Sequence, residues 1–216
     1  MNNRIFYPLL AIVLVAPFIL IGYFWSAIPE IIPIHYNIHN EPNDWAPKSW
    51  GMFLIPVISL VVTLVLLAVP KLDPKGNIDK FIGVYRGIVI ATATFMTALT
   101  CMEVLRHVGY PVPDNSIQLG VVVLFAFIGN VMLKLKPSFF VGIRTPWTLS
   151  NDEVWRRTHR LGGYLWVFAS LLMIPVVLLT PVEIYPYIFL GYVAIISIIP
   201  IAYSAILYFR LKGKQN

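Results

Sequence analysis

Charge is what this sequence lacks most. Only 12% of its 216 residues are Asp, Glu, Lys or Arg, against about 25% in an average soluble chain. Hydrophobic residues make up 58%, and the mean hydropathy is +0.78. So little polar surface cannot cover a water-soluble domain of this size. An ordinary cytosolic domain, a disordered chain and a soluble nucleic-acid binder are all excluded. The formal net charge of +6 then speaks for membrane topology and anionic lipid, with no direct nucleic-acid binding. Cysteine is scarcer still. Cys101 stands alone, which excludes a disulfide framework and a thiolate metal knuckle. Its apolar surroundings predict a small buried residue.

What is present is a series of long apolar runs. A spanning helix needs roughly 17 to 25 mostly apolar residues, and six runs qualify: about 5–28, 52–69, 86–103, 117–133, 161–180 and 185–209. The first run is too long for a secretory signal, contains Pro8 and Pro17, and lacks a small-x-small cleavage site, so it reads as a retained helix. Fourteen of the sixteen Lys and Arg fall in alternate segments, and only Lys48 and Arg106 fall in the others. That asymmetry predicts six spans with both termini cytoplasmic. The fold class is therefore all-α, a polytopic membrane helix bundle.

Two loops carry most of the remaining chemistry. The outer loop, 29–50, is rich in Pro, Asn and acid, so turns rather than a helix should order it. It holds Pro33, His35, Asn37, His39, Glu41 and Asp44. Imidazoles beside carboxylates could hold zinc, with His35, His39 and Glu41 the candidates. The His-x-x-x-His spacing serves ligation on a helix, and the prolines argue against one. The alternatives are hydrogen bonding of His35 and Asn37 to the loop backbone, or contact with an external ligand. No metal and no cofactor is expected.

The inner segment, 134–160, holds six of the basic residues. Ser150 followed by Glu153 reads as a capping box, so a helix should start near Asn151. Val154, Trp155, Thr158, Leu161 and Leu165 share a face, with Arg156, Arg157 and Arg160 elsewhere. This predicts a short amphipathic helix at the cytoplasmic interface that bends at Gly162-Gly163 into the fifth span. The bland role of these charges is lipid anchoring and topology; the sharper one is docking of a cytoplasmic protein. Arg144, between Gly142 and Pro146, lies away from that helix.

These two segments resemble known motifs. Pro33-Ile34-His35-Tyr36-Asn37 with Asp44 resembles the outer-loop motif of the DUF1648 domain found at the N-terminus of SdpI-type proteins. The long run Gly142-Ile143-Arg144-Thr145-Pro146-Trp147-Thr148-Leu149-Ser150, continued by Glu153-Val154-Trp155 and Thr158-His159-Arg160, resembles the SdpI family signature. Asn40 stands where that pattern usually has Gly, and Asn also adopts the left-handed conformation. The resemblance divides the chain into a DUF1648-like part, 1–70, and an SdpI-like part, 71–216, forming one structural unit.

The resemblance implies a non-enzymatic immunity protein of the bacterial plasma membrane. Such a protein protects the cell from a secreted, membrane-active peptide toxin at its outer face. It also implies sequestration of a cytoplasmic, ArsR-like repressor protein. The outer motif residues would meet the ligand or order the loop. Gly142, Arg144, Thr145, Trp147, Glu153, Trp155, Arg156, Arg157 and His159 would form the inner signature and docking surface. A metal-dependent membrane enzyme acting on a lipid or cell-envelope substrate, and a peptide transporter, are the alternatives.

Overall fold

The computed structural model describes residues 2–37, 41–73, 76–181 and 183–213. Helix α1 (Asn3–Phe24) is followed by a hairpin of β1 (Ile31–Tyr36) and β2 (Pro42–Pro47), then α2 (Lys48–Leu72). A 3-10 turn (Ile78–Phe81) leads into α3 (Ile82–His107), then α4 (Ser116–Met132), the short α5 (Pro146–Ser150), α6 (Asp152–Leu179) and α7 (Tyr185–Lys212). Five helices are long and apolar enough to cross a membrane, and α4 is a shorter apolar helix of 17 residues. The expected all-α membrane bundle is borne out.

Helices were the only option for these runs. Hydrocarbon offers no hydrogen-bond partner, so each backbone group must be satisfied within its own segment. Pro17, Pro56, Pro175 and Pro200 all lie inside continuous helices. The bundle has two layers of association. Helices α1 and α2 both pack on α3, while α4 and α7 both pack on α6, and α3 meets α4 between them. Polar ties reinforce the apolar contacts: Thr97 Oγ1 donates to Val13 O of α1 at 2.8 Å, and Trp166 Nε1 donates to Ile196 O of α7 at 2.8 Å. Trp166 thus serves an interhelical contact.

The structure overturns the expected bend. Helix α6 runs unbroken for 28 residues, about 42 Å at 1.5 Å per residue. That exceeds a hydrocarbon core of roughly 30 Å, so the first turns extend the span in one continuous helix rather than forming a separate interfacial helix. Gly162 and Gly163 serve close packing. A Cβ on Gly163 would come within 2.8 Å of Gly129 O, and one on Gly129 within 2.7 Å of Trp166 Cβ. Small residues let membrane helices approach where apolar burial gives no drive of its own.

The expected cap is also displaced. Asn151, not Ser150, caps α6; its Oδ1 accepts from the N–H groups of Glu153 and Val154 at 2.9 and 3.0 Å. Ser150 Oγ instead donates back to Trp147 O at 3.2 Å.

Substituting Gly129 by Ala should cost about 1–3 kcal/mol through overpacking. Thermal unfolding of the purified protein in detergent should show Gly129→Ala melting several degrees below wild type. Gly191→Ala should melt at or slightly above wild type, since nothing lies within 4 Å of the new methyl and Ala favours the helix.

Candidate functional site

The signature segment folds back onto the projecting turns of α6. Trp155 and His159, one turn apart, are 1% and 2% exposed and stack with ring centroids 3.9 Å apart. The His159 ring spans the gap to the loop. Its Nδ1 lies 2.9 Å from Trp155 O, and its Nε2 accepts the Ile143 N–H at 2.9 Å. Only a neutral ring, protonated on Nδ1, can make both bonds. Trp155 Nε1 donates to Leu135 O at 3.3 Å, which ties the end of α4 to the same point.

Gly142 is required here. Its φ of 118° lies in a region that L side chains avoid. A Cβ would also stand 2.4 Å from His159 Nε2 and 2.9 Å from the Trp155 ring. Beyond it, Thr145 and Thr148 build a reciprocal cap on α5, with Thr148 N donating to Thr145 Oγ1 at 3.1 Å and Thr145 N to Thr148 Oγ1 at 2.9 Å. Thr145 Oγ1 lies 3.0 Å from Ser204 Oγ, which fastens the segment to α7. Most of the signature is thus a latch that closes the basic end of the bundle.

The exposed members point outward from that latch. Arg144 Nη1 donates to Phe139 O at 2.8 Å, bracing the loop while its head stays accessible. Trp147 is half-buried and meets Phe209 edge-on at 6.5 Å. Glu153 accepts from both Arg156 and Arg157. The structure therefore divides the predicted inner residues into a buried set (Thr145, Trp155, His159) and an exposed set (Arg144, Arg156, Arg157).

At the opposite end, the outer motif forms an antiparallel hairpin. The register pairs Pro33 with Trp45 and His35 with Asp44. His35 Nδ1 lies 2.6 Å from Asn43 Oδ1. Asn37 donates to Glu41 Oε2 at 2.8 Å and accepts the Glu41 N–H at 3.0 Å. Asp44 Oδ1 accepts its neighbour's N–H, from Trp45, at 2.9 Å. His39 and Asn40 lie outside the described residues. Among the described residues, no group of three His, Cys, Asp or Glu could hold a metal ion.

Sequence reasoning missed the residue that anchors this hairpin. Lys48, at the start of α2, is 7% exposed. Its Nζ donates to Trp25 O and Ile28 O at 3.0 and 3.1 Å, pairs with Glu30 at 3.0 Å, and lies 5.0 Å from the Trp25 ring centre. It captures the free carbonyls beyond the end of α1. The available signal was its isolation, since Lys48 is one of only two basic residues in its set of segments. Beneath the hairpin, a cavity of about 190 Å³ is lined by Pro33, Tyr36, Thr100, Glu103 and His107, among apolar neighbours.

Comparison with known proteins bears out the resemblance read from the two motifs. Residues 134–204 match the SdpI/YfhL protein family, and residues 12–60 match the domain of unknown function DUF1648. The chain is 28% identical over 152 residues to a protein of Bacillus subtilis (strain 168) named immunity protein SdpI. That match covers 69% of this chain and 70% of the relative. No solved structure matches. The apolar helices and this kinship make the chain a multi-pass protein of the bacterial plasma membrane.

Three substitutions probe the two ends. Removing the His159 ring leaves the part-buried Ile143 N–H without its partner and opens a cavity, so His159→Ala should cost about 2–4 kcal/mol. Lys48→Met should cost about 1–3 kcal/mol by orphaning two carbonyls, whereas Glu30→Gln, at an exposed partner, should cost under about 1 kcal/mol. Thermal unfolding in detergent should rank the three variants in that order.

Proposed function

We propose that this chain, which carries the SdpI/YfhL segment at one end of its bundle and the DUF1648 hairpin at the other, is an immunity protein. It protects a bacterium from a secreted, membrane-active peptide toxin. The observation that carries this reading is the 28% identity over 152 residues to the Bacillus subtilis immunity protein, beside the separate matches of residues 134–204 and 12–60 to the two family models. The positive-inside asymmetry supports the hairpin facing outward and the latch facing the cytoplasm.

In this reading the hairpin and the cavity beneath it meet the toxin. Toxin contact biases the packing of α1–α3 and, through the α3–α4 contact, the latch. Arg144, Trp147, Arg156 and Arg157 offer a cationic surface with an aromatic edge, suited to docking a cytoplasmic repressor of ArsR-like class. The enzymatic alternative finds less support, because His35 is engaged by Asn43 and Glu41 by Asn37, which serves the loop.

Expression in a toxin-sensitive bacterium tests the immunity reading. Cells should survive a related membrane-active peptide that kills the parent strain; no gain of survival against any such peptide overturns it. The docking half is read separately. The triple variant Arg144→Ala, Arg156→Ala and Arg157→Ala should keep resistance and lose recruitment of the repressor to membranes. Unchanged recruitment removes these residues from the docking surface.

A further inference from the structure

The basic end holds a groove beside the latch that shares Arg156 and Arg157 with the docking surface and adds Arg160 and the tyrosines below it. A cavity of about 470 Å³ between α6 and α7 is lined by Arg156, Arg157, Arg160, Leu161, Tyr164 and Tyr203. A second cavity of about 470 Å³ shares Arg156, Arg160 and Tyr164 as its wall, touches Asp152, Trp155 and His159, and reaches Lys134 and Lys136 beyond the end of α4. Five cations thus converge on one stretch of α6. Two acids neutralise only part of this charge: Arg156 and Arg157 share the single carboxylate of Glu153, and Asp152 lines the second cavity. Arg160 is paired with no acid among the described residues.

Below the charges the same ridge of α6 changes character. Tyr164, Phe168 and Leu172 follow Arg160 at successive intervals of four residues and are 46%, 62% and 72% exposed. On the facing helix, Ile199 and Ile195 descend from Tyr203 and are also exposed. The order is guanidinium, phenol, then bare hydrocarbon. Arg160 to Leu172 spans about 18 Å, close to one leaflet of a hydrocarbon core of roughly 30 Å.

We propose that this groove seats an anionic phospholipid. Its phosphate lies between Arg157 and Arg160, and an acyl chain runs down Tyr164, Phe168 and Leu172. A lipid phosphate is the partner that needs cations and adjoining apolar surface at these depths together. A soluble protein docking from water reaches the arginines but not Phe168 or Leu172. The proposal is independent of the immunity reading, since it requires only the basic end of the bundle.

Native mass spectrometry of the full chain in detergent tests it, using phosphatidylglycerol and phosphatidylcholine with identical acyl chains. Wild type should retain phosphatidylglycerol over phosphatidylcholine. Arg160→Gln should weaken phosphatidylglycerol retention by about fivefold, and Arg157→Gln with Arg160→Gln by more. Arg210→Gln, which removes a charge outside both cavities, should leave it unchanged, and inorganic phosphate should not displace the lipid. Equal retention of the two lipids overturns the proposal. So does an Arg160→Gln variant that binds like wild type, an equal loss in Arg210→Gln, or displacement by inorganic phosphate, which marks a site for the free anion.

Discussion

The close approach of α4 and α6 at Gly129 and Gly163 is the constraint on which the rest of the basic end depends. In a bilayer, lipid tails are as apolar as leucine, so burial alone does not choose how helices associate. Backbone-to-backbone proximity does. With no Cβ at either glycine, the two helices pack backbone against backbone, and α6 is continuous through the contact. The chain leaving α4 returns along the N-terminal turns of α6. His159 and Trp155 stand on the face it meets, and Gly142 is the point where the returning backbone passes over them.

The two ends of the bundle are closed by different physics. At the basic end a neutral imidazole, a buried indole and a threonine pair satisfy backbone groups in a tightly packed place. At the hairpin end a single buried ammonium collects carbonyls from the end of α1 while its partner Glu30 stays in water. A cation with one solvated partner avoids the full desolvation penalty of a buried pair. The first arrangement is buried and uncharged; the second is charged and leaves its carboxylate exposed.

Much of this was legible in the sequence, for identifiable reasons. Long apolar runs can only be helices in a membrane, so the spans were readable from composition. Their ends were not, because α2 and α3 continue past the apolar core through Lys48 and His107. Gly162-Gly163 was read as a bend, since the sequence does not distinguish a flexible glycine from one needed for a close neighbour. Ser150 and Asn151 are both good caps; Asn151 takes the place because Ser150 is spent closing α5. The outer loop was readable as non-helical, but strand pairing between two proline-bearing hexamers left no alternating pattern to find. Lys48 was counted as a charge and not seen as an anchor, because its partners are carbonyls, which every residue has.

The central claim is that the signature segment is a latch held shut by His159, and amide hydrogen exchange at Ile143 tests it most directly. Its N–H donates to a buried ring nitrogen beneath Gly142, so it should exchange as slowly as the amides of the neighbouring turn of α6, and should become fast in Gly142→Val. An Ile143 amide that exchanges at the rate of an open loop in the wild-type protein contradicts the account.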